Sequence, residues 1–104
     1  MLFLTYWELN PEFDPSELAE IAQKLMSKKL YPVEGVNQIG FYVSTSDYWG
    51  ITIEEAQNEE QLAKGSMMWR LAKPGYITVM KTTPAMDAIK IIPLVIKLKK
   101  EIEG

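Results

Sequence analysis

The sequence predicts an α+β fold with the element order β-α-β-β-α-β and an added C-terminal helix, which is the ferredoxin-like arrangement. Three observations lead to it. A chain of 104 residues has the size of one domain, so residues 1–104 are expected to fold together. Two strand-like segments flank a tight turn at Ser46-Asp47, as in a β-hairpin. Helix-start signals follow the first, third and fourth strands. In this topology the strands form one antiparallel sheet in the order 4-1-3-2, and the first two helices cover one of its faces.

Local signals define the individual elements. Asp14 is a capping residue and Pro15 suits the first position of a helix. Asn58 caps the second helix in the same way, and Thr83-Pro84 is expected to start the third. Strands are expected at residues 2–9, 36–45, 48–55 and 76–82, and helices at residues 14–28, 58–72 and from 83 onward. The hairpin argues against a doubly wound parallel sheet, because that fold places a helix between every pair of strands.

The composition excludes several kinds of function. The chain has no cysteine and no histidine, which excludes disulfides, thiolate nucleophiles, Cys/His zinc sites, histidine haem ligation and histidine acid–base catalysis. We therefore expect no metal and no cofactor. A formal charge of −3 and a single arginine, Arg70, disfavour nucleic acid as a partner. No apolar run reaches the ~20 residues of a membrane span, and the first residues lack the basic leader of a signal peptide. We expect a cytoplasmic protein that binds no membrane.

Side-chain alternation along the strands divides the sheet into two faces. We expect the more aliphatic set to form the core beneath the helices: Leu2, Leu4, Ile39, Phe41, Val43, Ile51, Ile53, Ile77 and Val79. The second set is aromatic and rich in threonine and is expected on the opposite face: Phe3, Thr5, Trp7, Gln38, Gly40, Tyr42, Tyr48, Thr52, Glu54, Tyr76, Thr78 and Met80. Aromatic surface of this extent is typical of an interaction site. We interpret it as the interface of a homodimer whose two sheets pack together like a barrel. A ligand cavity partly lined by this face is the alternative.

Seven residues of the second set are candidate ligand-binding residues, because aromatic rings with sparse polar groups line small-molecule pockets. They are Thr5, Trp7, Gln38, Tyr42, Thr52, Tyr76 and Thr78. Glu54 is the candidate catalytic residue, since a glutamate in an aromatic cavity has a raised pKa and can act as a base. A solvated glutamate at the end of a strand is the alternative interpretation.

The C-terminal helix is richer in Ile, Leu and Val than a surface helix needs. Asp87, Lys90, Lys97 and Glu101 group on one side, and apolar residues fill a wide arc on the other. An arc of this width is expected to contact its own domain and a neighbouring chain together, with packing on its own domain alone as the alternative. Pro93 lies inside the helix and is expected to kink or restart it.

The stretch PVEGVNQIGFYVSTSDYWGITIEEAQNEEQLAK resembles a family of small proteins of unknown function, the DUF3303 type. Pro32, Gly35 and Val36 are similar to the family's lead into strand two, and Gly50 with residues 54–56 is similar to its passage into helix two. The resemblance implies the dimeric α/β-barrel fold. That fold holds cofactor-free monooxygenases, haem-degrading enzymes, lactone isomerases and amino-acid-sensing domains, so it does not select a function. A haem-degrading activity lacks its histidine ligand here.

Two hypotheses follow from these observations. The first is a homodimeric module of unknown function that binds a small apolar ligand in a cavity next to its sheet. The second is a cofactor-independent monooxygenase or isomerase on the same fold. Glu54 is then the base, and Thr5, Trp7, Tyr42 and Thr78 position the substrate. The sequence leaves open whether the protein is an enzyme.

Overall fold

The computed structural model describes residues 1–104 and confirms the predicted element order. The strands are β1 (Leu2–Leu9), β2 (Asn37–Val43), β3 (Trp49–Glu55) and β4 (Ile77–Pro84), and the helices are α1 (Ser16–Ser27), α2 (Glu59–Ala72) and α3 (Ala88–Glu103). The strands form one antiparallel sheet in the order β2-β3-β1-β4, which is the predicted 4-1-3-2 order. The ferredoxin-like α+β fold is therefore confirmed. No helix is both long enough and apolar enough to span a bilayer.

Strand β1 lies inside the sheet and pairs with β3 on one side and β4 on the other. Two irregularities interrupt the register. One lies on β2 between Gln38 and Gly40. The other lies on β4, where Thr78 is an extra residue between Ile77 and Val79, opposite the end of β1. A β-bulge inserts one residue into a strand, so side-chain alternation changes phase within β2 and within β4.

Helices α1 and α2 cover the aromatic, threonine-containing face of the sheet, so the predicted assignment of the two faces is wrong for β1 and β3. Phe41 and Ile77 nevertheless pack in the core, and Tyr42 lies on the uncovered side, as predicted. The residues buried on this side are Phe3, Thr5, Trp7, Leu9 and Thr52 from the strands, Ile21 and Leu25 from α1, and Leu62 and Trp69 from α2. Aromatic rings join the layers through edge-to-face contacts, which are the favoured geometry for such pairs. The rings of Tyr31 and Trp69 lie 5.6 Å apart at 89°. Large rings, and not the aliphatic set, therefore fill the space beneath the helices.

The error in the face assignment has two physical causes. Both faces are apolar, so alternation separates two sets of residues without showing which set the helices cover. Leu4 and Ile53, which are paired across β1 and β3, consequently lie on the side away from the helices. The bulge on β2 also places Gln38 and Phe41 on the same side, although three positions separate them. Phe41 packs edge-on against Trp7 at 5.8 Å, within the core.

We call the uncovered side of the sheet the outer face. By strand register it carries Leu2, Leu4, Tyr6, Glu8, Tyr42, Trp49, Ile51, Ile53, Glu55, Val79, Lys81 and Thr83. Its charged residues lie at strand ends or on the edge strand β4, and its centre is apolar. The side chains of Tyr42 and Leu4 are 60% and 38% exposed. The chain therefore leaves a broad apolar surface uncovered by its own helices.

Helix α3 projects away from the rest of the protein. No Cα atom of α3 lies within 8 Å of another helix or strand, and none of its residues is buried. It begins at Ala88, where the Asp87 carboxylate accepts a hydrogen bond from the amide of Ile89. The predicted start at Pro84 is wrong because that residue still belongs to β4, and the helix continues through Pro93. The expected contact between α3 and its own domain is also wrong, whereas contact with a neighbouring chain stays a prediction.

Candidate functional site

A cavity lies between the sheet and α2, on the face that the helices cover. Its lining includes Thr5, Trp7, Thr52 and Glu54 from the sheet, and Gly65 and Trp69 from α2. The void between the lining atoms, with its open mouth, measures about 510 Å³, and the centre of a water-sized sphere can reach about 30 Å³ of it. That space holds about two water molecules. The cavity is therefore narrow, mostly apolar and equipped with a few polar groups.

The floor of the cavity is a pair of buried threonines. Thr5 and Thr52 lie directly opposite each other on β1 and β3, and both are buried. The Thr52 hydroxyl oxygen accepts a hydrogen bond from Trp7 Nε1 at 3.1 Å, and Thr5 Oγ1 lies 3.0 Å from Thr82 Oγ1. No protein acceptor takes the hydroxyl hydrogen of Thr52. This hydroxyl can therefore donate to a bound molecule while it accepts from Trp7.

Glu54 brings a carboxyl group to the cavity. It is half-buried and lies opposite the fully buried Phe3 on β1 and opposite Gln38 on β2. Burial raises the pKa of Glu54, and a hydrogen bond from Gln38 partly opposes that rise. Gln38 Nε2 also donates to the Tyr31 hydroxyl at 2.6 Å. Burial and the neighbouring Glu54 charge raise the pKa of Tyr31, so Tyr31 stays a neutral donor.

Gly65 leaves open space beneath α2. It is a buried residue inside the helix. A Cβ atom at this position would lie 3.4 Å from Tyr31 Cε2 and 3.5 Å from Val33 Cγ2, which are ordinary contacts. Glycine inside a helix is about 1 kcal/mol less stable than alanine. Neither packing nor backbone conformation requires glycine at this position. Because Gly65 has no side chain, a small volume next to the polar groups of the cavity stays unfilled.

The structure brings together four of the eight residues predicted for the site. Thr5, Trp7, Thr52 and Glu54 all line the cavity. Gln38 contacts the site indirectly, through its hydrogen bond to Tyr31.

The remaining three predicted residues lie outside the cavity. Tyr42 lies on the outer face, where its ring occupies the place that a Cβ atom of Gly40 would need. Tyr76 is buried against Phe13, with ring centroids 5.8 Å apart. Thr78 is the extra residue of the β4 bulge and is exposed. Their expected place around one pocket depended on uninterrupted alternation, which the bulges and the reversed faces remove. A role in ligand binding or catalysis stays a prediction for every residue in the set.

Sequence reasoning missed Tyr31, Gly65 and Trp69. Tyr31 lies in the connection between α1 and β2, where no periodic pattern identifies buried residues. A signal for Gly65 was present, since a glycine inside a capped helix lowers its stability and calls for a local reason. Glu54 is the only acidic residue in the cavity lining, and no group of three or more acidic residues lies close enough together to hold a metal ion.

Comparison with known proteins supports the resemblance seen in the sequence. A family model described as a domain of unknown function (DUF3303) matches residues 1–99. The match includes every residue of the cavity lining and most of α3. A search of curated proteins gave no match. Because the family model covers nearly all of the 104 residues, the chain belongs to the DUF3303 family, a domain of unknown function.

Proposed function

We propose that the protein is a homodimeric module that binds a small, largely apolar ligand in the cavity beneath α2. One observation carries the proposal: polar groups with free hydrogen-bonding capacity lie in an otherwise apolar cavity. The hydroxyl groups of Thr52 and Tyr31 each accept a hydrogen bond and keep their own hydrogen. Glu54 adds a half-buried carboxyl group. Both hydroxyl groups already have one partner, and a ligand acceptor would take the second hydrogen bond that each can make.

The hydrogen-bonding groups define the class of ligand. A carbonyl or hydroxyl oxygen suits the donors Thr52 and Tyr31, and an O–H or N–H group suits Glu54. Apolar walls such as Trp7 and Leu62 suit an aromatic or aliphatic body. An anionic ligand would be repelled by the carboxylate of Glu54. The proposed ligand is therefore not an anion, and it has one polar end.

The size of the cavity limits the ligand further. A water-sized sphere reaches only about 30 Å³ in the unliganded arrangement, within a void of about 510 Å³ that includes the mouth. We expect a molecule with one aromatic ring to enter only when side chains at the mouth shift outward. A cofactor with several fused rings would require α2 to separate from the sheet, because Gly65 and Leu62 hold that helix close to the cavity floor.

A titration followed by two-dimensional amide NMR tests the proposal with phenol and toluene, two probes of similar size that differ in the hydroxyl group. We expect phenol to shift the amide signals of Thr52, Glu54 and Gly65, and to bind roughly tenfold more tightly than toluene, because hydrogen-bonded recognition of a hydroxyl favours the ligand that carries it. Equal affinity for the two probes, or shifts confined to other surfaces, would contradict the proposal. Native mass spectrometry of freshly purified protein will also reveal any retained molecule.

The raised pKa of Glu54 favours a second candidate function, a cofactor-independent isomerase. In such a reaction the Glu54 carboxylate removes a proton from a carbon next to a ligand carbonyl, and the hydroxyl groups of Thr52 and Tyr31 stabilise the resulting enolate oxygen. When the ligand has a carbon–carbon double bond β,γ to the carbonyl, Glu54 returns a proton to the far end of the resulting dienolate, so atoms and charge balance. Exchange of the Glu54 proton with solvent between the two steps brings in deuterium from heavy water. The test is deuterium uptake by a retained carbonyl ligand in heavy water. Glu54→Gln should abolish this uptake, and Glu55→Gln, a change of the exposed neighbour, should preserve it.

A homodimer of the dimeric α/β-barrel type is part of the proposal. The apolar outer face supports it, since monomeric proteins rarely leave an apolar sheet surface of this size uncovered. Light scattering at micromolar concentration measures the mass directly, and a monomer would contradict this part. The cytoplasmic location expected from the sequence stays a prediction.

A further inference from the structure

We infer that α3 docks on the outer face of a second copy of this chain, and that the second copy's α3 docks on this one in return. The inference rests on the homodimer of the proposed function, but it places a helix of the second copy on the outer face, where the barrel arrangement would place the second copy's sheet. It is independent of the ligand, because the outer face and the cavity lie on opposite sides of the sheet.

The isolation of α3 is the first observation. The radius of gyration is 16.8 Å and the longest dimension is 56 Å, whereas a compact chain of this length has a radius of gyration of roughly 13 Å. Eight aliphatic side chains of α3 are between 41% and 84% exposed: Ile89, Ile91, Ile92, Leu94, Val95, Ile96, Leu98 and Ile102. A helix with this composition requires a partner surface, because its own domain supplies none.

The outer face has the dimensions that α3 requires. A helix of 16 residues is about 24 Å long, and a strand of eight residues such as β1 is about 26 Å long. One helix laid along the sheet would therefore reach from end to end of the apolar centre around Leu4, Ile51 and Ile53. Lys90 and Lys97 lie on the opposite side of the helix and would remain in water. Lys99, which pairs with Glu103, lies on the apolar side but in the last turn and a half, towards the end of the helix.

The area supports a dimer of this kind. Five of these side chains share about a third of the helix circumference and can face one sheet together: Ile91, Ile92, Val95, Leu98 and Ile102. At roughly 60 Å² each, one α3 has about 300 Å² of apolar surface to bury against the sheet. Two reciprocal contacts, counted on helix and sheet together, would bury roughly 1,200 Å², which is at the lower end of the range for stable interfaces. A different protein would have to supply both a helix and a receiving sheet, whereas a second copy supplies both through one two-fold axis.

Photo-crosslinking of the full-length chain tests the inference. Benzoylphenylalanine replaces Val95 on the apolar side of α3 in one sample and Lys97 on the polar side in the other. Isotopically heavy and light copies are mixed, so a crosslink between copies is distinguished from one within a chain. We expect the Val95 position to give covalent dimers with crosslinks to β1 and β3, and the Lys97 position to give few.

A second measurement keeps the inference testable if the photoreactive group disturbs α3. Ile92→Glu combined with Val95→Glu should raise the dimer dissociation constant by roughly 100-fold, while Lys97→Glu should change it less than about threefold. Circular dichroism checks that α3 remains helical.

A dimer crosslinked only at other surfaces, or crosslinks from α3 to its own sheet, would overturn this inference and leave the homodimer. A monomeric native protein would overturn both, and phenol binding by the double variant reports on the cavity separately.

Discussion

Replacing Gly65 with alanine tests whether the space beneath α2 is kept open although filling it would stabilise the fold. The change removes a glycine from a helix interior, which is worth about 1 kcal/mol, and buries a methyl group, which adds up to about 0.8 kcal/mol. The new Cβ atom would make ordinary contacts with Tyr31 at 3.4 Å and Val33 at 3.5 Å. We therefore expect the free energy of unfolding to rise by about 1–2 kcal/mol.

Urea unfolding followed by tryptophan fluorescence measures this change, at a fixed protein concentration because dimers gain stability with concentration. Ala63 is an exposed residue of the same helix and provides the control. Ala63→Gly should lower the free energy of unfolding by about 1 kcal/mol through helix propensity alone. If Gly65→Ala is destabilising instead, tight packing explains the glycine and the argument for preserved space fails.

For the Gly65→Ala variant, the expected effect on ligand binding is opposite to the effect on stability. A methyl group is close in size to a water molecule, and the reachable part of the cavity is only about 30 Å³. We expect Gly65→Ala to weaken phenol binding by roughly tenfold, a penalty of about 1.4 kcal/mol, even though the protein is more stable. Unchanged phenol affinity in a stabilised variant would show that phenol does not occupy the space beneath Gly65.

Three further substitutions test the sheet side of the cavity. Because burial raises the pKa of Glu54 above its ordinary 4.5, its contribution to stability is fully present below about pH 4.5 and is lost as pH rises through the higher folded-state pKa. Glu54→Gln should therefore reduce the fall in melting temperature between about pH 4 and pH 8. Thr52→Val removes the acceptor of the buried Trp7 N–H and should lower the free energy of unfolding by about 1–3 kcal/mol in urea titrations. Gly50→Ala would push a methyl group into the Trp7 ring and should destabilise by about 1–3 kcal/mol in the same assay.

Exposed neighbours provide controls for two of these changes. Glu55→Gln removes a carboxylate from the same strand at an exposed position and should leave the fall in melting temperature unchanged. Thr78→Val has the same change of shape as Thr52→Val at an exposed site and should alter stability by less than about 0.5 kcal/mol. A Thr78→Val effect as large as that of Thr52→Val would mean that the buried hydrogen bond to Trp7 is not the cause.

The sequence predicted the fold better than it predicted the site, for reasons that particular residues show. Helix caps and turns are local signals, and the predicted cap at Asn58 is present, with its side chain accepting a hydrogen bond from the Gln61 amide. The strand order follows from the order of elements. The bulge next to Gly40 has no comparable signal, and it separates Tyr42 from Thr5 and Thr52, with which the alternation had grouped it. A site that combines several strands depends on such phase shifts.

The reversed assignment of the two sheet faces also bears on the proposed function. In an antiparallel sheet with one solvated side, polar residues alternate with apolar ones and identify the core without ambiguity. Here Thr5 and Trp7 on β1 face the helices, while the adjacent Leu4 and Tyr6 face outward and are as apolar. Alternation fails to distinguish the two faces because neither has the composition of a solvated one. The same feature that misled the sequence interpretation therefore agrees with the proposal that both sides of the sheet have a use, one beside the cavity and the other against a second copy.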